Sequence, residues 1–223
     1  MKTYAIIVAG GSGSRMGTEL PKQFLEVNSK PVLMHTLLAF HRSSVKPEIL
    51  LVLNKHYHNF WKELCALHQF DVPHILVEGG EERFHSVKNA LNLVHQPSLV
   101  AIHDAVRPVI SNELITRCFN EAEENLAVIP AVSSRDSLRQ KQGNGTVALN
   151  RSEVLIVQTP QVFHSDILNK AYLQPYSDNF TDDASVVERN GNEIVITEGD
   201  SKNIKITYPE DLEIVALFLK SEA

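Results

Sequence analysis

Near the start of the chain an apolar run, Tyr4-Ala5-Ile6-Ile7-Val8-Ala9, leads straight into Gly10-Gly11-Ser12-Gly13-Ser14-Arg15-Met16-Gly17, and Pro21-Lys22-Gln23 follows. Glycines let a backbone turn tightly and approach a ligand without a Cβ in the way. Successive free N–H groups in such a turn form a concave anion site, and Arg15 and Lys22 place full positive charge beside it. The combination points to a polyphosphate cradle. It is not a P-loop, because no Gly-Lys-Ser/Thr occurs. It is not a dinucleotide fingerprint, because the third glycine counted from Gly11 falls on Met16. The alternative is a plain glycine turn with Arg15 and Lys22 solvated.

Further polar clusters stand where strands should end, which is where open α/β sheets place ligands. In His103-Asp104-Ala105-Val106-Arg107-Pro108, Asp104 can hold a metal or a ribose hydroxyl and Arg107 can pair with an anion. An internal Asp–Arg pair that pins the loop explains the same residues. In Glu78-Gly79-Gly80-Glu81-Glu82-Arg83-Phe84-His85-Ser86 the glycines admit a flat base and Ser86 can bond its edge or a ribose; a glycine turn before a capped helix is the plainer reading. Thr181-Asp182-Asp183-Ala184 opens a helix, with Thr181 as cap and Asp182 favouring the dipole. Lys205 alternates with Ile204 and Ile206, as a solvent-facing strand residue would. The ten histidines form no zinc pattern, and no G-x-S-x-G elbow occurs. Cations, glycines and one candidate metal carboxylate fit phosphoryl or nucleotidyl transfer, where positioning and charge neutralisation supply the catalysis.

The elements that must position these groups follow from the apolar pattern. Ile49–Leu53, Ile75–Val77, Leu99–Ile102 and Ala127–Ile129 are continuous apolar runs, as buried parallel strands show. Helical patterns lie between them at 32–43, 57–69, 84–94 and 112–124, the last capped by Ser111. The rhythm predicts a mostly parallel sheet with helices on both faces. It breaks over 133–151, a polar stretch holding the hairpin signal Asn144-Gly145. There 136–139 and 146–149 are expected to pair as an arm that packs on something, since an isolated hairpin is marginal in water. A strand at 154–157, helices at 165–173 and 182–190, strands at 193–197 and 204–206, and a helix from Pro209 complete the expectation.

A chain of 223 residues, 43% hydrophobic, suits one α/β domain. A net charge of −6 argues against a nucleic-acid surface, so an anion site must be a local basic pocket. Cys65 and Cys118 read as buried free thiols of a reducing compartment. The apolar runs fall short of the roughly 18 residues that a membrane span needs, and a cytoplasmic protein is expected.

Taken together these segments, with Gln158-Thr159-Pro160-Gln161 and Asn203-Ile204-Lys205-Ile206-Thr207, closely resemble the 2-C-methyl-D-erythritol 4-phosphate cytidylyltransferase family across nearly the whole chain. Each motif alone is weak; seven in order are specific. The resemblance implies a three-layer Rossmann-like nucleotidyltransferase fold with a protruding β-hairpin arm. It implies CTP as a substrate, Mg2+ or another divalent cation on its triphosphate, and in-line attack by the phosphate of methylerythritol phosphate on the α-phosphorus. Arg15 and Lys22 would stabilise the transition state, with Arg151 and Lys205 positioning the attacking phosphate. Ala9, Gly10, Gly11, Ser12 and Gly13 would cradle the CTP phosphates, with Gly80, Glu81, Ser86 and Asp104 completing the nucleotide site. Asp104, Arg107, Ser137, Thr159 and Thr181 would line the acceptor pocket. The resemblance also implies a homodimer in which the 133–151 arm brings Ser137 and Arg151 to the partner's site.

Two rival functions remain open from sequence: a ribitol-5-phosphate cytidylyltransferase, which shares Lys22 and Lys205, and a non-catalytic nucleotide-binding module. A dehydrogenase is a weaker third.

Overall fold

The computed structural model describes residues 1–9 and 20–220. Strand β1 (Lys2–Val8) lies between β4 (Glu48–Leu53) and β6 (Ser98–Asp104), parallel to both, and sets Ile6 against Leu50 and Ile102. Strand β5 (Ile75–Glu78) adds in parallel to β4. On the other side of β6 comes an antiparallel strand, β11 (Gln161–His164), then β7 (Ala127–Ser133). Antiparallel β10 (Leu155–Val157) and parallel β12 (Val195–Glu198) both pair with β7. The predicted α/β layering therefore holds, with a mostly parallel sheet.

Continuous apolar strands form because both sheet faces are covered. Ala5 and Ile7 of β1 face one core with α1 (Val32–Arg42), α2 (His58–Leu67) and α4 (Asn112–Glu124). Tyr4 and Ile6 face the other, with α3 (Arg83–Leu91), α5 (Ser165–Ala171) and α6 (Asp183–Arg189). Ile6, Ile7, Leu50 and Leu51 are wholly buried, and each such side chain contributes about 1.5–3 kcal/mol. That rigidity is what the carboxyl end of β6 inherits.

A smaller cluster beside that end joins Val106, Val109 and Ile206 to Val27 of β2 (Glu26–Val27) and Val215 of α7 (Glu210–Lys220). A two-residue strand β3 (Lys30–Pro31) pairs with β2. The strand predicted at 204–206 is not a ladder strand: its backbone contact with the β6 loop is Ile206 N–H to the Val106 carbonyl at 2.9 Å. In a parallel ladder the return bond to Ile206 would come from the N–H of residue 108, which is proline. The ammonium of Lys22 takes that carbonyl instead, at 2.7 Å.

The hairpin departs from expectation: its first strand begins three residues later than predicted, at Arg139, and its turn falls one residue earlier. Strand β8 (Arg139–Gln142) pairs with β9 (Gly145–Ala148), so the turn is Gly143-Asn144 rather than Asn144-Gly145. Gly143 has φ +56°, and a glycine at the first central position takes the left-handed backbone without steric cost. Every residue of both strands is exposed.

Candidate active site

The loop after β6 is held from beneath. Ala105 N–H donates to the Val8 carbonyl at 3.1 Å, and the Thr36 hydroxyl to the Ala105 carbonyl at 2.8 Å. Beta-strand rigidity thus fixes Asp104, the last residue of β6. Its Oδ2 accepts from Lys205 Nζ at 3.0 Å and from Arg107 Nε at 3.3 Å, while Oδ1 lies 3.8 Å from Arg83 Nε. Lys205 is therefore an ion-pair partner rather than a purely solvent-facing strand residue. The internal Asp–Arg pair that pins the loop is present, and Asp104 also gathers cations from two distant segments.

Behind Asp104 sits a second carboxylate. Arg83 makes a bidentate pair with Asp183 at 2.8 and 2.7 Å, and the buried Tyr172 hydroxyl donates to Asp183 Oδ1 at 2.6 Å. Burial works against the Arg83 charge, but Asp183 and Asp104 outweigh it and hold the guanidinium above its ordinary range. Burial likewise opposes the Asp104 charge; Arg83, Lys205 and Arg107 outweigh that and hold the carboxyl below the usual carboxylate range. Three cations, Arg83, Arg107 and Lys205, thus stand on two carboxylates, Asp104 and Asp183, with Lys22 docked on the Ile206 carbonyl next to Lys205. The excess is positive, so a protein with net charge −6 carries a local anion site.

Thr159 is engaged within the fold. Its hydroxyl is buried between the His103 Nδ1, at 2.9 Å, and the Asp104 N–H, at 3.2 Å. His103 is wholly buried, and burial pushes its pKa down to about 4, so the ring is neutral. Ser86 is buried as well and accepts from the Gly80 N–H at 3.0 Å, shaping the 79–86 loop. A Cβ on Gly80 would lie 2.4 Å from the His85 Cβ, so this position requires glycine. Glu81 is exposed beside it. Ala9 is buried and tied by its N–H to the Val52 carbonyl and by its carbonyl to Gln23.

The cap of α6 is Asp182, not Thr181: Asp182 and Ser185 form a capping box. Asp182 wins because Gln161 also donates to its second carboxylate oxygen at 2.7 Å. Thr181 is left exposed, lining a small recess with Arg83, Phe84, Tyr172, Tyr176 and Phe180. Ser137 is exposed, and Arg151 is exposed and donates to the Arg135 carbonyl in its own segment at 3.3 Å. Among the described residues neither has a hydrogen bond or ion pair with the Asp104 cluster. Gly10, Gly11, Ser12, Gly13 and Arg15 lie outside the described residues.

Sequence reasoning missed Asp183 as the partner of Arg83, Tyr172 as the donor behind Asp183, and His103 and Asn203 as partners of Thr159. Arg83 and Asp183 are a hundred positions apart, and only the fold brings them together.

A metal has a narrow choice of donors. Among the described residues no group of three or more His, Cys, Asp or Glu could hold one. Magnesium ordinarily takes one or two carboxylates and completes its shell with water and substrate phosphates. Asp104, whose Oδ1 has among the described residues only the Arg83 contact at 3.8 Å, fits that single-carboxylate role.

Comparison with known proteins bears on the same question. The family model for 2-C-methyl-D-erythritol 4-phosphate cytidylyltransferase matches residues 3–221. The 2-C-methyl-D-erythritol 4-phosphate cytidylyltransferase of Bacteroides fragilis is 51% identical over 215 residues, covering 96% of this chain and 98% of its own. That of Porphyromonas gingivalis is 47% identical over 221 residues, covering 99% of each. Among solved structures, 4-diphosphocytidyl-2C-methyl-D-erythritol synthase from Anaerococcus prevotii superposes with TM-score 0.84 at 30% identity, covering 98% of this chain and 96% of that one. The Francisella tularensis 2-C-methyl-D-erythritol 4-phosphate cytidylyltransferase does so with TM-score 0.81 at 32% identity, covering 98% and 100%.

Proposed function

The chain belongs to the 2-C-methyl-D-erythritol 4-phosphate cytidylyltransferase family, and from that premise we propose how its own residues carry out the family reaction. It transfers CMP from CTP to 2-C-methyl-D-erythritol 4-phosphate, giving 4-diphosphocytidyl-2-C-methyl-D-erythritol and pyrophosphate. An oxygen of the acceptor phosphate forms a bond to the α-phosphorus as the bond to the bridging α–β oxygen breaks. No covalent enzyme intermediate is needed, because the acceptor phosphate is itself the nucleophile.

The observation that carries the reading is the surplus of positive charge around Asp104 at the end of β6. Two anionic substrates repel one another, and fixed cations cancel that cost in both ground and transition state. Lys22 and Arg15 serve the α-phosphoryl group, whose charge grows as pyrophosphate leaves. Lys205 and Arg107 hold the acceptor phosphate, with Asp104 keeping both cations in place and Thr181 at the rim. Gly80, Glu81 and Ser86 form the base and ribose side. Asp104 and the triphosphate would hold a divalent ion, which would neutralise leaving-group charge when bound.

Ser137 and Arg151 reach a site only from a second copy. Support comes from the fully exposed hairpin and from Leu155, Ile156 and Val157, all exposed on β10. An exposed apolar edge of this kind asks to be covered. We therefore read 133–151 as a dimerisation arm. The free Cys65 and Cys118 fit a reducing cytoplasm, and among the described residues no helix is long and apolar enough to cross a membrane.

The test is pyrophosphate release from CTP with each acceptor supplied separately. Faster turnover with 2-C-methyl-D-erythritol 4-phosphate than with ribitol 5-phosphate is expected. The reverse order would reassign the acceptor, and no release with either would leave a non-catalytic nucleotide-binding module.

A further inference from the structure

Three segments meet behind the acceptor side of the site, and buried polar groups join them in a closed ring. His103 Nε2 stands 3.1 Å from the Arg107 carbonyl. A carbonyl only accepts, so Nε2 carries the proton and Nδ1 is the bare nitrogen. The Thr159 hydroxyl must then donate to Nδ1 at 2.9 Å, which leaves its oxygen to accept from the Asp104 N–H. The Thr159 carbonyl accepts from Asn203 Nδ2 at 2.8 Å, and the Asn203 carbonyl accepts from Arg107 Nη1 at 2.8 Å. The circuit returns to the residue where it began. His103 and Asn203 are wholly buried, Thr159 nearly so, and the Phe40 ring packs on the imidazole with centroids 5.0 Å apart.

Each link has one possible direction, so the ring has one arrangement. It fixes Arg107 from both ends, backbone carbonyl and guanidinium, and leaves Nη2 without a hydrogen-bond partner among the described residues. It also anchors Asn203 two residues before Lys205. Neither His103 nor Asn203 is assigned a part in the reaction above, and the Thr159 hydroxyl has no proton left for a substrate.

We propose that His103, Thr159 and Asn203 are positioning residues that present Arg107 and Lys205 to the acceptor phosphate, with Thr159 acting through His103 rather than by touching substrate. The inference rests on the acceptor site assigned above. Its consequence is selective: loss of the ring loosens acceptor binding and leaves CTP binding alone.

The experiment is a double-mutant cycle with Thr159→Val, His103→Gln and their combination, with Thr159→Ser as the conservative control. Thr159→Val is expected to raise KM for methylerythritol phosphate about tenfold, the value of one hydrogen bond, with KM for CTP unchanged and Thr159→Ser restoring the wild type. The double variant should be no worse than the poorer single one. A direct Thr159–substrate contact would instead make the two effects add, and an equal rise in the CTP KM would mean general loosening; either result overturns the proposal. Should the variants not fold, long-range 1H–15N spectra of the wild type decide: His103 must be the Nε2–H tautomer, and an Nδ1–H tautomer sinks the ring. Wild-type protein with no turnover on methylerythritol phosphate would defeat the functional reading instead, while the tautomer would still judge the ring.

Discussion

The end of β6 and the 133–151 hairpin hold residues that the proposed reaction assigns to one acceptor, yet they are built in opposite ways. Around Asp104 each side chain is braced by another: Lys205, Arg107 and Arg83 on its carboxylate, Asp183 and Tyr172 behind Arg83. On the hairpin, Ser137 and Arg151 lie exposed, and among the described residues the Arg151 side chain bonds only backbone of its own segment. A two-stranded hairpin that buries nothing is marginal in water, whereas strand β6, which carries Asp104, is buried along its whole length. The difference teaches that one chain preorganises the Asp104 cluster by itself and leaves the arm without packing of its own, as the composite site proposed above requires.

The comparison is sharpened first at Lys22. Lys22→Ala should lower kcat by about a thousandfold, the scale of a lost transition-state charge contact, with an unchanged circular dichroism spectrum and a melting temperature lowered only by the few degrees that loss of its bond to the Ile206 carbonyl entails. Wild-type turnover in that variant would remove the lysine from the chemistry. Next comes Asp183→Asn, which leaves the Arg83 guanidinium half-paired in a partly buried position. The expected loss is about 3 kcal/mol of stability, read by denaturant titration, against less than about 0.5 kcal/mol for the exposed Ser137→Ala. Equal losses at both positions would erase the contrast between braced cluster and free arm.

The smallest effect is one of pH. Burial holds the folded His103 at a pKa of about 4 against 6.5 for the ordinary ring. Between those values the unfolded chain takes up a proton that the folded one refuses. The stabilisation is therefore complete above pH 6.5 and fades as the pH falls toward 4, by about 2 kcal/mol at pH 5. Melting temperatures at pH 7 and pH 5 should differ more for the wild type than for His103→Gln. An identical shift in both would mean that His103 titrates normally.

Much of the frame was legible because apolar runs and helix caps are local signals. The helix at 112–124 was read to the residue, with Ser111 accepting from the Leu114 N–H as its cap. Strand β11 was missed: four residues after a proline, buried on both faces, carry neither alternation nor length. The hairpin turn and the α6 cap each slipped by one position, since Gly143 competes with Asn144 and Asp182 with Thr181, and only the final geometry arbitrates. At the site, residue types pointed to Lys22 and Arg107 as anion-handling groups and to Asp104 as a metal or ribose ligand, while Lys205 entered only through the family resemblance. What they could not reveal is mutual bracing. The Arg83–Asp183 pair and the Thr159–His103–Asn203 ring depend on partners dozens of positions away.

The central claim, a braced cluster completed by another chain's arm, is tested most directly by mixing two inactive variants. Lys205→Ala keeps its arm, and Arg151→Ala keeps its cluster. Unfolded together in equal amounts and refolded, they should regain about a quarter of wild-type activity, because half of the dimers then contain one intact composite site. A mixture as inactive as its components would place Arg151 at its own chain's site or nowhere near one, and would contradict the account.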